Sequence, residues 1–200
     1  KVMVLAVTGG IGCGKTHIIN IFAAMGVPAY LTDDRAKGLY DTSEILLSSL
    51  VELLGDDILV DGVLQKGVMA SKLFNNKELL RKVESLVHPA VIDDFIKWRD
   101  AELAKGAPFV IIESAIFLEV PDMRPLADKV LVVSAPLDLR IKRVKSRSNL
   151  TQQQITERID NQWSDQKRIS MADYHICSDE SRALIPQVIN IFKQMSNGNR

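Results

Sequence analysis

The chain has 200 residues, 46% of them hydrophobic, which is enough for one sizeable α/β core with an insertion or two. Its 25 lysines and arginines balance 25 aspartates and glutamates, so no net charge favours nucleic acid or an anionic membrane as a partner. The chain shows no apolar run of membrane-spanning length, no signal peptide before the first predicted strand, and no disulfide framework in its two cysteines. We therefore expect a cytoplasmic protein that binds neither nucleic acid nor membrane.

A glycine-rich loop near the amino end carries the strongest functional signal. The apolar run 2–7 predicts a strand before it, and the run 18–25 predicts a helix after it. Residues 9–16 read Gly-Gly-Ile-Gly-Cys-Gly-Lys-Thr, which fits the G-x-x-x-x-G-K-[ST] pattern of a P-loop. Glycines let successive N–H groups point into one concavity, and the helix that follows adds the positive end of its dipole. The sequence thus predicts a nucleoside triphosphate site, and a turn that binds nothing is the weaker alternative.

The chemistry of triphosphate sites gives individual residues of this loop their predicted roles. We expect Lys15 to reach the β- and γ-phosphates and the Thr16 hydroxyl to bind Mg²⁺. The predicted nucleotide-binding residues are Gly10, Ile11, Gly12, Cys13, Gly14, Lys15, Thr16 and His17.

Asp33 follows a second predicted strand, 26–31, which we expect to lie beside the first. Ligands of open parallel sheets bind outside the carboxyl ends of the strands, so a carboxylate there would face the phosphates. Asp33 is therefore a candidate to accept the proton of an attacking hydroxyl. Spacing alone leaves another role equally open, in which Thr32 or Asp33 caps a helix that begins near Asp34.

Residues 42–106 carry a helical pattern that is too long for an ordinary crossover between strands. We interpret this stretch as an inserted helical subdomain that stands over the ligand crevice. Two of its predicted helices, 78–86 and 89–103, are separated at His88, which would precede a helix start. A lone histidine there is more often a structural cap than a catalyst, and we favour the structural role.

The apolar run 108–113 predicts a central parallel strand that ends in a carboxylate. Two roles are open for Glu113, since it can bind Mg²⁺ through water or cap the next turn. The loop 114–119 is unusually apolar for a surface connection. Ile116 and Phe117 are either exposed, where they would suit an organic substrate, or they fill an interdomain core.

A basic helix is predicted after the strand at 127–134. Arg140, Arg143 and Arg147 fall on one face of it. Such a face is usually just solvated, but after a strand of a nucleotide-binding sheet it is well placed to grip transferring phosphates. A polar helix capped by Thr151 then indicates a mobile lid, followed by a strand at 172–177 and a closing helix from about 183 to 195.

These features together resemble the dephospho-coenzyme A kinase family over nearly the whole chain. Residues 5–15 are similar to its L-T-G-G-I-G-S-G-K loop, and residues 26–33 to its G-V-P-V segment, which ends in the proposed catalytic Asp. The pair at 88–89 matches its H-P, residues 116–119 its L-L-F-E, and residues 158–174 its R-I-x-x-Q…K…A-D-Y pattern. The departures from the family pattern are Cys13, His17, Leu31 and Ser178.

The resemblance and the residue patterns imply the same architecture. It is an α/β, three-layer P-loop fold with a five-stranded parallel sheet, an inserted helical acceptor-binding subdomain and a helical lid. The core would comprise residues 1–31, 107–145 and 172–200, the acceptor subdomain 32–106, and the lid 146–171.

The resemblance also implies a reaction. ATP, with Mg²⁺, would phosphorylate the ribose 3′-hydroxyl of dephospho-coenzyme A to give coenzyme A and ADP, the last step of coenzyme A biosynthesis. The implied partners are these two small molecules, and we expect a monomer or a weak homo-oligomer.

The resemblance assigns site residues in three groups. The catalytic group comprises Lys15, Asp33, Arg143 and Arg147, with Arg140 as third choice. The acceptor-binding group comprises Thr8, Asp33, His88, Ile116, Phe117 and Glu119. The metal group is Thr16, with Glu113 acting through water.

The sequence leaves two other functions open. A kinase of nucleoside monophosphates or of another small alcohol would share the core, the insertion and the lid. A GTPase-type switch is less favoured because the sequence contains no N-K-x-D motif for reading guanine.

Overall fold

The structure is a computed structural model, and it describes residues 3–74 and 76–197. The predicted place of Val2 in the first strand, and the ends of the predicted core at residues 1–2 and 198–200, lie outside the described residues. The described residues form seven strands and nine α-helices. In chain order they are β1 (Val4–Thr8), α1 (Lys15–Ala24), β2 (Ala29–Leu31), α2 (Thr32–Thr42), α3 (Glu44–Leu54), β3 (Leu59–Val60), β4 (Val63–Leu64), α4 (Lys66–Leu73), α5 (Lys77–Ala104), β5 (Val110–Glu113), β6 (Lys129–Ser134), α6 (Leu137–Arg147), α7 (Gln152–Asp160), α8 (Asp165–Ile169), β7 (Tyr174–Cys177) and α9 (Leu184–Asn197).

Five strands form one parallel sheet in the order β2-β5-β1-β6-β7. All five residues of β1 are buried, as are Val110, Ile111 and Ile112 of β5. Consecutive buried residues point to opposite faces of a strand, so both faces of the central sheet are covered. The predicted α/β class with a five-stranded parallel sheet and flanking helices is confirmed.

The edge position of β2 corrects one prediction. β2 pairs with β5 and not with β1, so the second strand along the chain does not lie beside the first. The apolar run of β5 is fully buried and needs a neighbour on each side. A three-residue strand whose last residue, Leu31, is 36% exposed is better suited to an edge.

The main apolar core lies where α1 and α9 pack together against the sheet. Phe22 of α1 meets Phe109 edge-on, with ring centroids 6.1 Å apart, and Phe109 also contacts Phe192 of α9 at 5.7 Å. Val188 and Met195 of α9 are also buried. This core supports the helix whose amino end follows the glycine loop.

The described residues divide into two compact units, one of which is Thr32–Arg99. The residues on either side of this segment form the other unit, which contains the five-stranded sheet. Within Thr32–Arg99, α3 is capped at its amino end by Ser43, whose hydroxyl accepts the Leu46 amide at 3.2 Å, and at its carboxyl end by Gly55, which has a φ of 97°. The β3–β4 hairpin follows the short 3₁₀ turn Asp56–Ile58.

Helix α5 corrects a second prediction, because residues 77–104 form one helix of 28 residues with Pro89 inside it. A proline in a helix interior costs about 3 kcal/mol. Side chains at four-residue spacing are buried on both sides of it, and burying each contributes about 1.5–3 kcal/mol, which outweighs that cost. They are Val83, Val87, Val91 and Phe95. Neither α5 nor any other helix in the described part of the chain is long and apolar enough to cross a membrane.

Candidate functional site

The loop between β1 and α1 turns sharply at two glycines. Gly9 has a φ of 151°, and a Cβ at this position would overlap the carbonyl oxygen of Val133 on β6. Gly14 has a φ of 95° and directly precedes α1, so it sits in the left-handed region at the start of the helix. A side chain is strained in both places, which explains glycine there and lets the loop fold back over the amino end of α1.

Four backbone amides next to the start of α1 are among those of this loop that donate to no acceptor within residues 3–74 and 76–197. They belong to Gly12, Gly14, Lys15 and Thr16. Two other amides of the loop are used within the protein. Cys13 N donates to the Gly10 carbonyl at 3.2 Å, and Ile11 N donates to Gln162 Oε1 at 3.0 Å. Free N–H groups at the amino end of a ten-residue helix form an anion site, so the arrangement fits a polyphosphate.

The side chains of Lys15 and Thr16 lie at the same turn. Lys15 Nζ donates to the Gly9 carbonyl at 2.8 Å and lies 3.7 Å from Glu113 Oε1. The Thr16 hydroxyl makes no hydrogen bond within the described residues. Those residues also contain no group of three or more His, Cys, Asp or Glu side chains that could hold a metal. A hydroxyl beside phosphate-binding amides still fits Mg²⁺, which is commonly held by few protein ligands together with substrate phosphates.

Helix α6 brings two of its arginines against the loop. Arg140 is buried, and its Nε donates to the Ile11 carbonyl at 2.9 Å. Arg143 donates from Nη2 to the carbonyl and the hydroxyl of Ser178, at 2.9 and 3.2 Å. Arg147 is exposed. Arg140 therefore binds the backbone of the loop. Arg143 and Arg147 instead border an open cavity.

This cavity of about 540 Å³ opens beside the amino end of α1. Its lining residues are Gly12, Gly14, Thr16, His17, Asn20, Arg143, Arg147, Ser178, Glu180 and Leu184. Four of these, Asn20, Ser178, Glu180 and Leu184, are absent from the predicted site. Asn20 lies one helical turn after Thr16, and the others follow the carboxyl end of β7, where ligands of parallel sheets bind. A place on the first helix near Thr16, or after the carboxyl end of a sheet strand, is the sequence signal that could have identified these residues.

The segment after β7, residues 178–181, is held by local hydrogen bonds and by an ion pair with α6. Glu180 has a φ of 68° and lies 3.6 Å from Arg143. Asp179 accepts the Ser181 hydroxyl at 2.6 Å and the Ser181 amide at 3.0 Å, and these hydrogen bonds lower the pKa of Asp179. Glu180 therefore contributes a carboxylate to the cavity lining, and the neighbouring Asp179 is held by its bonds to Ser181.

The loop after β5 shows which of the two roles left open for Ile116 and Phe117 each side chain takes. It folds into a turn in which Phe117 N donates to the Ser114 carbonyl at 3.4 Å, and this directs Phe117 inward, where it is fully buried. Thr8 is also fully buried, and its hydroxyl donates to Ala115 at 3.4 Å. Ile116, at 37% exposure, is the large apolar side chain of the loop that is exposed to solvent.

Glu119 belongs to a chain of ion pairs built around two buried arginines. Its Oε1 accepts Trp163 N at 3.1 Å and Arg168 Nη2 at 3.3 Å. Arg168 is 1% exposed and also contacts Asp165 at 3.3 Å, while Asp165 lies 3.6 Å from Arg140. The loop after β5 is thereby tied to α8, and α8 to the arginine that holds the glycine loop.

In the unit Thr32–Arg99, the structure contradicts the cap role for Thr32 and Asp33. α2 begins at Thr32 itself, so neither residue precedes the helix. The buried Thr32 hydroxyl has no partner, and the exposed Asp33 carboxylate makes no hydrogen bond or ion pair within residues 3–74 and 76–197. Nearby, Arg35 donates to both oxygens of Asp94 at 2.8–3.1 Å, a pair that the sequence analysis missed.

His88 occupies a different place from the one predicted. It is half-buried in the middle of α5, so it caps no helix. The helix start expected at this residue is absent because α5 continues through Pro89.

Comparisons with known proteins identify the family. The model of the dephospho-CoA kinase family matches residues 3–183. A dephospho-CoA kinase from Bacteroides fragilis (strain YCH46) is 32% identical over 187 residues, which cover 94% of this chain and 90% of the relative.

Two solved structures share the fold. A crystal structure from Thermus thermophilus has a TM-score of 0.80 at 24% identity and covers 96% of both chains. A dephospho-CoA kinase from Campylobacter jejuni has a TM-score of 0.70 at 23% identity and covers 98% of both chains. The family model matches most of the chain, and the glycine loop has free amides that fit a polyphosphate. This chain therefore belongs to the dephospho-CoA kinase family.

Proposed function

We propose that this enzyme transfers the γ-phosphoryl group of ATP to the ribose 3′-hydroxyl of dephospho-CoA and releases ADP and CoA. The observation that carries the proposal is the family match over residues 3–183. The four free amides and the ammonium group at the start of α1 support a triphosphate as the donor.

On the donor side, the amides of Gly12, Gly14, Lys15 and Thr16 hold the phosphates. Lys15 leaves the Gly9 carbonyl to reach the β- and γ-phosphates. The Thr16 hydroxyl would hold Mg²⁺ together with phosphate oxygens, and Glu113 would contribute through water. When bound, Mg²⁺ neutralises charge on the transferring group. Arg143 and Arg147 stabilise the charge that develops on the γ-phosphoryl, while Arg140 keeps the loop in shape.

On the acceptor side, Asp33 takes the proton of the 3′-hydroxyl as the reaction proceeds. A bond forms between the 3′-oxygen and the γ-phosphorus, and the bond from this phosphorus to the β–γ bridging oxygen breaks. ADP leaves with that electron pair. The unpaired carboxylate of Asp33 supports this role, because a base must be free to accept a proton.

The remaining assignments complete the proposal. Residues 32–106 bind the acceptor, with Ile116 and His88 contributing contacts, and residues 146–171 act as the lid over a core made of 1–31, 107–145 and 172–200. We propose that the enzyme works in the cytoplasm on small molecules, without nucleic acid or membrane, as a monomer or weak homo-oligomer.

The test is a panel of acceptors with purified enzyme, ATP and Mg²⁺. ADP release should depend on dephospho-CoA, with little release for AMP, CMP or shikimate, and the product should carry phosphate on the 3′-oxygen. Release that is equal with every acceptor, or absent with dephospho-CoA, refutes the function.

Asp33→Asn tests the proposed base. It should lower kcat by about 100-fold or more, an ordinary acid–base contribution, and leave the Kd for ATP unchanged. The matched control is Asp34→Asn, since Asp34 is 70% exposed and, in the described part of the chain, its one ion pair is with Lys37, one turn along the helix. Near-normal turnover of Asp33→Asn rules out Asp33 as the base.

A further inference from the structure

Two successive peptide groups of the P-loop are held by hydrogen bonds, the first at both its C=O and its N–H and the second at its C=O. In the peptide that joins Gly10 to Ile11, the carbonyl accepts Cys13 N at 3.2 Å, and the N–H donates to Gln162 Oε1 at 3.0 Å. In the next peptide, the Ile11 carbonyl accepts Arg140 Nε at 2.9 Å. The N–H of that second peptide belongs to Gly12, which is one of the four free amides.

Because the peptide bond is planar, these contacts also fix the direction of an N–H group at the phosphate site. In a trans peptide the C=O and N–H point in opposite directions, and the structure contains no cis peptide among the described residues. Arg140 therefore fixes the direction of the Gly12 N–H by holding the Ile11 carbonyl. Gln162 fixes the orientation of the peptide before it. Glycines on both sides of Ile11 would otherwise let these planes rotate with little resistance.

Gln162 is itself held in position by its neighbours. The amide of Trp163 is bound by Glu119 at 3.1 Å, and the Lys167 ammonium lies 3.5 Å from the centroid of the Trp163 ring. Gln162 N donates to Ile159 at 3.1 Å. A side chain whose backbone is anchored in this way loses little entropy when it accepts the Ile11 N–H.

We propose that Gln162, which lies in the segment between α7 and α8, is a positioning residue that orients the P-loop to bind the triphosphate. It does not touch the phosphates, and it acts through the Ile11 peptide. This inference rests on the proposed use of ATP, and it makes one of the predicted nucleotide contacts indirect, since the Ile11 N–H serves Gln162. The segment that sequence analysis placed in the lid is thereby part of the donor site before any acceptor binds.

The test compares Gln162→Met with Gln166→Met. Methionine is close to glutamine in length and lacks the acceptor oxygen, so the first change removes the bond to Ile11 while keeping the volume. Gln166 is exposed on the neighbouring helix, and its side chain bonds to nothing among the described residues. A second variant, Gln162→Asn, keeps the amide but is one methylene too short to reach the loop.

Two readouts separate positioning from folding. Calorimetric titration with ATP and Mg²⁺, without acceptor, should give a Kd raised about five- to ten-fold in both Gln162 variants, the effect of one lost hydrogen bond. The KM for ATP should rise by the same factor, the KM for dephospho-CoA should not, and Gln166→Met should match the unchanged enzyme. Hydrogen exchange of the Ile11 amide should also be faster in Gln162→Met.

The outcomes are distinct. An unchanged Kd for ATP in both Gln162 variants overturns the positioning role while leaving the proposed function intact. A lower Kd also overturns it, because Gln162 would then compete with the phosphates for the Ile11 N–H. If the unchanged enzyme binds no ATP, the proposed function and this inference both fail.

Discussion

Replacing Glu119 by Gln tests the buried charges that join the loop after β5 to α8. Glutamine keeps an oxygen that can accept Trp163 N, so the change mainly removes the negative charge beside Arg168. Arg168 is 1% exposed and keeps one partner, Asp165, at 3.3 Å. Breaking a buried pair costs about 3–5 kcal/mol when no partner remains, and the second carboxylate reduces this to about 2–3 kcal/mol.

The assay is thermal and urea unfolding followed by circular dichroism and tryptophan fluorescence. For a chain of this size, the expected loss lowers Tm by roughly 5–10 °C. Glu102→Gln is the matched control, because Glu102 is 21% exposed, like Glu119 at 20%, but its partner Lys105 is 69% exposed. A surface pair of this kind is worth less than about 1 kcal/mol. Equal losses in the two variants would show that burial of Arg168 does not decide the energy of the pair.

Two further substitutions test local structure. Thr151→Ala removes the capping bond in which the Gln154 amide donates to the Thr151 hydroxyl at 3.2 Å, and should cost about 1 kcal/mol, seen as faster hydrogen exchange in the first turn of α7. Burial acts to raise the pKa of Asp173, but hydrogen bonds from Val130 N–H and Lys129 outweigh it and hold this pKa below its usual value. Asp173 therefore stabilises the fold above its unfolded pKa, and the contribution is lost as pH falls through the folded pKa. Asp173→Asn should be less stable than the unchanged protein near pH 7, and urea titrations should show that difference shrinking by about pH 3.

The elements that could be predicted from the sequence are those whose cause is local. The strand, glycine loop and helix around Lys15 follow from glycine spacing and apolar runs, and the cap at Thr151 follows from the polar residues beside it. The same holds for the end of α3 at Gly55, whose φ of 97° suits glycine. A short stretch of chain contains the whole physical reason in each case.

Features that the sequence misplaced or left open depend on which surfaces meet in the folded chain. The run of β5 predicts a buried strand, but its residues do not say that it lies between β1 and β2. Pro89 predicts a helix break, and burial of the apolar face on both sides of it keeps α5 continuous. The pattern around Phe117 leaves exposure and burial equally open until the turn directs the ring inward.

The sequence by itself determined the family and the phosphate-binding loop of this protein, because the residues that form that loop are adjacent along the chain. Tertiary structure alone decided what holds the loop. Ile11 and Gln162 are 151 positions apart, and Ile11 and Arg140 are 129 apart. A hydrogen bond between groups so distant along the chain forms only when packing of the whole sheet brings them together, and no local pattern encodes it.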